Sequence, residues 1–102
     1  MCSSDLFLSN LLTCRVDNLV DGQIRYGLVC QETGGVLDDI LVYKLDAMNF
    51  GLVVNASNRD RVVAWLRAKL PPSGVTLVDH TPGTAMIAVQ GPRAVEIGRA
   101  HV

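Results

Sequence analysis

The chain has 102 residues with nine lysines and arginines against ten aspartates and glutamates, so it is near neutral and long enough for one domain or part of one. A net charge of −1 without a basic stripe leaves no electrostatic footprint for nucleic acid or an anionic membrane surface, and neither is expected as a partner. No apolar run is long enough to cross a bilayer, and there is no phosphate loop, nucleophile elbow, metal-binding helix or Rossmann fingerprint.

The two ends can be encoded by the two strands of one oligonucleotide. If residues 1–6 are encoded GTG TGC TCT TCC GAT CTC, with GTG as the start codon, the complementary strand reads GAG ATC GGA AGA GCA CAC. That strand translates as Glu-Ile-Gly-Arg-Ala-His, which is the run at residues 96–101. The oligonucleotide resembles a common sequencing adapter. Residues 1–6 and 96–102 are therefore expected to be adapter-derived, with genuine protein over 7–95. Without Asp5, Glu96 and Arg99, the nine basic and ten acidic side chains become eight of each, and the net charge is zero.

Phe7, Leu8, Leu11 and Leu12 recur at helical spacing and stop near Thr13, which predicts the last turns of an amphipathic helix. Asp21-Gly22 marks a turn. Beyond it Ile24, Tyr26, Leu28 and Cys30 alternate with Arg25, Gly27 and Val29, a strand pattern. Glu32-Thr33-Gly34-Gly35 reads as a hairpin connection, because glycine takes the positive φ angles of tight turns. Residues 36–45 form the second predicted strand, apolar on both parities at Ile40, Leu41, Val42 and Tyr43, so both of its faces are expected to be covered. Asp46-Ala47-Met48-Asn49 is the next turn and residues 50–54 the third strand. Residues 55–58 lead into a helix with Val62, Trp65, Leu66 and Lys69 or Leu70 on one face, Ser57 or Asn58 as its cap and Pro71-Pro72 as its stop. Residues 75–78 and 86–89 are predicted as two further short strands around the Thr81-Pro82-Gly83 turn, and Gly91-Pro92 opens another helix. The order implies an α+β domain, an antiparallel β-sheet with helices packed on it.

Cys14 and Cys30 have no short paired spacing and no histidine cluster beside them, so no metal site is expected, and buried thiols of a reducing compartment are favoured over a disulfide. His80 reads as a surface residue. The anomaly is Asp38-Asp39 inside an apolar strand, because a buried carboxylate without partners costs several kcal/mol. Each must meet a cation, hydrogen-bond donors or a ligand, or lie at a solvated strand start just after the hairpin. Adjacent strand residues point to opposite faces, so at most one of the two can face a given pocket. On local pattern alone, Asn55 is a turn former or helix cap and Tyr26 is half-buried strand packing.

Tyr26-Gly27-Leu28-Val29-Cys30, Gly34-Gly35-Val36-Leu37-Asp38-Asp39, Val42-Tyr43, Val53-Val54-Asn55-Ala56, Asn58-Arg59-Asp60 and Ala88-Val89-Gln90-Gly91-Pro92 together resemble the glycine cleavage system T-protein in wording, order and spacing. The resemblance covers nearly all of residues 7–95 and an interior minority of that family's chain. It implies part of the T-protein folate-binding domain and an aminomethyltransferase. Such an enzyme takes the aminomethyl group carried on the dihydrolipoyl arm of H-protein, passes its one-carbon unit to tetrahydrofolate and releases ammonia. It also implies that Asp39 faces the pterin as the catalytic carboxylate, that Tyr26 and Asn55 are folate-binding contacts, and that Asp38 supports them structurally. Lipoylated H-protein is the implied partner. The implied location is the cytoplasm of a bacterium, or the mitochondrion in a eukaryote. Two related alternatives share the resemblance: the folate-binding module of a dimethylglycine or sarcosine dehydrogenase, and a T-protein-like factor in iron-sulfur cluster maintenance.

Overall fold

The computed structural model describes residues 3–99; residues 1–2 and 100–102 of the two runs expected to be adapter-derived lie outside the described residues. Three strands, β1 (Ile24–Cys30), β2 (Val36–Lys44) and β3 (Phe50–Val53), form an antiparallel sheet in that order. The helices are α1 (Ser3–Leu11), α2 (Arg59–Lys69) and α3 (Ala94–Arg99), with single 3₁₀ turns at Ala56–Asn58 and Thr81–Gly83. The α+β architecture expected from the sequence is the one observed.

Apolar spacing decides what is buried. Leu8 of α1 and Leu12 just beyond it meet Val16, Leu19, Val29, Leu37, Ile40 and Val42 in one cluster, with Phe50, Leu52, Val54 and Trp65 packed around it. Each such side chain removed from water contributes about 1.5–3 kcal/mol before the entropy of ordering is subtracted. In α2, Val62 and Leu66 are buried and Trp65 packs against the cluster, the face expected from the sequence. Lys69 Nζ lies 4.6 Å from the Trp65 ring centroid and donates to Glu32 Oε1 at 2.7 Å, which links the end of α2 to the β1–β2 hairpin.

The turns follow their residue chemistry. Gly34 takes φ +95° in the hairpin, and Asp46 Oδ1 accepts the N–H groups of Met48 and Asn49 at 2.9 and 3.0 Å. One irregularity matters for the site. Val29 pairs with Asp38 but Cys30 pairs with Val36, so Leu37 is an extra residue on β2. That bulge places Leu37 and Asp38 both in the interior, at 7% and 3% exposure, whereas Asp39 is exposed. The outer edge of β1 is partly covered: Thr13 N–H donates to the Leu28 carbonyl at 3.0 Å, and Leu28 N–H donates to Thr13 Oγ1 at 2.9 Å.

Four expectations are corrected. Residues 75–78 and 86–89 are not strands, because no neighbouring strand among the described residues offers them a ladder, and Val78, Met86, Ile87 and Val89 are all more than half exposed. Among the described residues the sheet is covered on one face only: Ile40 and Val42 are buried while Leu41 between them is 36% exposed. Neither Ser57 nor Asn58 caps α2 through its side chain; Asn58 occupies the cap position but turns its amide to Asp38. Cys14 and Cys30 are free thiols, but both are only half-buried. Within α1, Asp5 is buried and its Oδ1 has no hydrogen-bond partner among the described residues.

Candidate functional site

Strand register determines which side chains share the open face of the sheet. Tyr26 pairs with Leu41 and Leu41 with Val53, forming one row across all three strands; Leu28 pairs with Asp39 in the next row. Residues directly opposite in an antiparallel ladder point the same way, so Tyr26 and Asp39 are diagonal neighbours on one face. Asn55 continues that second row beyond the end of β3. Its Nδ2 donates to Asp39 Oδ1 at 2.8 Å and to the Asp39 carbonyl at 3.1 Å. Tyr26 is 60% exposed, which overturns its local interpretation as half-buried packing. The three residues singled out from the sequence, Tyr26, Asp39 and Asn55, thus lie together on the uncovered face.

Asp38 turns inward and is 3% exposed. Its Oδ2 accepts the Asn55 backbone N–H at 2.9 Å, and its Oδ1 accepts Asn55 Nδ2 at 2.7 Å and Asn58 Nδ2 at 2.9 Å. Burial pushes this carboxyl up, but the side chains of Asn55 and Asn58, with the backbone N–H groups of Asn55 and Asp39, outweigh burial and hold it below its ordinary value. Asp38 is therefore a fixed anion behind the face. The two aspartates do point to opposite sides, but they are not independent, because the Asn55 amide is hydrogen-bonded to both. Asn58 is the member that sequence reasoning assigned elsewhere. A buried aspartate needs donors, and an asparagine three residues after Asn55 was the available signal.

The close packing of β1 depends on Gly27. A Cβ at that position would lie 2.6 Å from Cys14 Sγ, so only glycine lets the strand pass the 12–14 segment without displacement. On the exposed side, Asp39 Oδ2 makes no hydrogen bond among the described residues, while Oδ1 is held by Asn55. The face thus presents an oriented carboxylate beside an exposed phenol and the apolar side chain of Leu41. Such a group accepts hydrogen bonds from a ligand and attracts developing positive charge.

The family model for the GCVT N-terminal domain matches residues 3–102. The chain belongs to the GCVT N-terminal domain family. Within the curated relatives, it is 41% identical over 95 residues to an aminomethyltransferase of Chlorobium phaeobacteroides, covering 92% of this chain and 26% of that protein. It is 44% identical over 92 residues to an aminomethyltransferase of Chlorobium chlorochromatii, covering 89% and 25% of the two chains. An aminomethyltransferase of Clostridium botulinum is 42% identical over 91 residues, with the same coverage of 89% and 25%. The chain spans about a quarter of the length of the curated relatives it matches. The resemblance to the T-protein drawn from its motifs therefore holds at family level. In this GCVT N-terminal domain segment, Asp39, Tyr26 and Asn55 occupy one open sheet face, backed by the Asp38 and Asn58 cluster. No helix among the described residues is long and apolar enough to cross a membrane.

Proposed function

We propose that this segment forms one wall of the tetrahydrofolate site in an aminomethyltransferase of the glycine cleavage system, with lipoylated H-protein as the donor of the aminomethyl group. The observation that carries the proposal is Asp39: an exposed carboxylate, oriented by Asn55 Nδ2 at 2.8 Å, on the same sheet face as the exposed Tyr26. Transfer of a methylene unit from sulfur to a folate nitrogen passes through cationic, iminium-like character. A carboxylate fixed before the reaction stabilises that charge better than water, which must reorganise around it. Asp39 supplies this field and orients the attacking nitrogen, Tyr26 and Asn55 line the pterin pocket, and Asp38 remains a structural anion. The names of the relatives support the transferase over the dehydrogenase module and the iron-sulfur factor. Since those relatives are bacterial enzymes, the reading carries a cytoplasmic location with it.

The proposal extends to the domain limits, with residues 1–6 and 96–102 adapter-derived. Support comes from the two ends being encodable by complementary strands of one oligonucleotide, and from the buried Oδ1 of Asp5, which has no hydrogen-bond partner among the described residues.

The experiment is Asp39→Asn in the full-length enzyme carrying this segment, assayed with aminomethylated H-protein and tetrahydrofolate. The expected outcome is an unchanged fold and a kcat lower by about 10²–10³, the usual effect of removing one preorganised electrostatic group. Turnover equal to that of the unsubstituted enzyme would remove Asp39 from the mechanism.

A further inference from the structure

The Asn55 side-chain amide has two hydrogens but three acceptors within reach: Asp38 Oδ1 at 2.7 Å, Asp39 Oδ1 at 2.8 Å and the Asp39 carbonyl at 3.1 Å. Two N–H bonds cannot serve three acceptors at full strength. How far the amide leans toward Asp39 therefore depends on what else satisfies Asp38 Oδ1. That oxygen has one other side-chain donor, Asn58 Nδ2 at 2.9 Å, which reaches it from the start of α2. Asp38 is nearly inaccessible to solvent, so the missing donor would not be readily replaced by bulk water. Asp39, in contrast, lies on the exposed side and can exchange its bond to Asn55 for solvent.

We propose that Asn58 is a positioning residue for Asp39. By donating to the buried Asp38 carboxylate, it frees the Asn55 amide to hold the exposed carboxylate in a single orientation. The proposal rests on the reading that Asp39 faces the folate. Without Asn58, the buried anion competes more strongly for the Asn55 amide, because a bond to a desolvated charge outweighs one to a solvated charge. Asn55 is drawn inward, and Asp39 loses its hold and spreads over rotamers. The sheet, the turn and α2 need not change for this to happen.

The test is a double-mutant cycle in the full-length enzyme carrying this segment, with tetrahydrofolate affinity measured by calorimetry. Four proteins are compared: unsubstituted, Asn58→Ala, Asp39→Asn and the pair. Asn58→Ala is expected to weaken binding roughly tenfold when Asp39 is present and to have little effect in the Asp39→Asn background. An equal loss in both backgrounds overturns the proposal, because a residue that only holds the start of α2 would act regardless of Asp39. Asn58→Ser, which keeps a donor hydroxyl, provides a milder cycle should the alanine variant fail to fold; a smaller loss confined to the Asp39 background supports the proposal, and a background-independent one opposes it. The side-chain amide resonances of Asn55 give a readout that needs no ligand. They shift in Asn58→Ala if Asn58 governs the Asn55 amide, and unmoved resonances overturn the proposal. If the unsubstituted enzyme binds no tetrahydrofolate, the functional reading fails first, and the Asn55 resonances still decide whether the relay exists.

Discussion

The stretch from β1 to the start of α2 and the stretch from Pro71 to Arg93 differ in one physical respect: the strands of the first pair with one another. In the first, β2 is paired on both sides, and the buried Asp38 meets three hydrogen bonds from Asn55 and Asn58. In the second, Val78, Met86, Ile87 and Val89 have strand-forming character but form no ladder among the described residues, and all are exposed. Strand propensity is thus expressed only where a neighbour completes the hydrogen bonds and covers the side chains. The ion pair of Arg59 with Asp79 joins the second stretch to the start of α2.

The most damaging single change to the paired stretch should be Gly27→Val. Even a Cβ at this position lies 2.6 Å from Cys14 Sγ and 3.1 Å from Cys14 Cβ. Overpacking of this kind costs about 3 kcal/mol. Denaturant unfolding should show that loss in Gly27→Val, with partial recovery in the Gly27→Val, Cys14→Ala pair, since the sulfur is removed but the Cys14 Cβ stays. No recovery would place the strain elsewhere.

Next in size is Asp38→Asn, expected to cost about 1–3 kcal/mol at neutral pH, because an amide nitrogen would face the donors that the carboxylate accepted. Its pH dependence identifies the source. Asp38 has a folded pKa below its ordinary value of 3.8. Its stabilisation is therefore present above that value and is lost as the pH falls through the folded pKa. Unfolding midpoints measured from about pH 6 to about pH 2 should show an acid-side loss in the parent chain and a shallower one in Asp38→Asn. Parallel curves would mean that Asp38 contributes no proton linkage.

How much of this was legible beforehand follows the same division. The hairpin, the turn at Asp46 and the buried face of α2 depend on neighbours a few residues apart, and their patterns in the sequence predicted them. Tyr26, Asp39 and Asn55 were legible as a group through the family resemblance. Their common face became physical only with the register Tyr26–Leu41–Val53 and Leu28–Asp39. Asn58 reads, with Ser57, as a candidate cap because local rules weigh the helix start, whereas its partner lies 20 residues away on β2. Residues 75–78 and 86–89 misled for the complementary reason: alternation records a tendency to pair and does not say with what. Apolar residues on both parities of β2 likewise indicated two covered faces, although the described chain covers one.

The smallest expected effect bears most directly on the division between the halves. Arg59 Nε and Nη2 donate to Asp79 Oδ2 at 3.0 and 2.8 Å, while Asp79 Oδ1 accepts the Thr81 N–H at 3.0 Å. The Thr81 side chain and N–H, and then Arg59, hold the Asp79 carboxyl far below the usual carboxylate range. Both partners are partly solvated, and a pair of that kind adds little to global stability. Arg59→Ala should accordingly leave the unfolding midpoint almost unchanged. It should speed hydrogen exchange at Thr81, Gly83 and Thr84, whose amides are bonded within the clasped turn, and leave Leu28 and Lys44 in the sheet protected. If the sheet amides accelerated to the same extent, the two stretches would be a single cooperative unit, and the open segment would owe its exposure to something other than a missing strand partner.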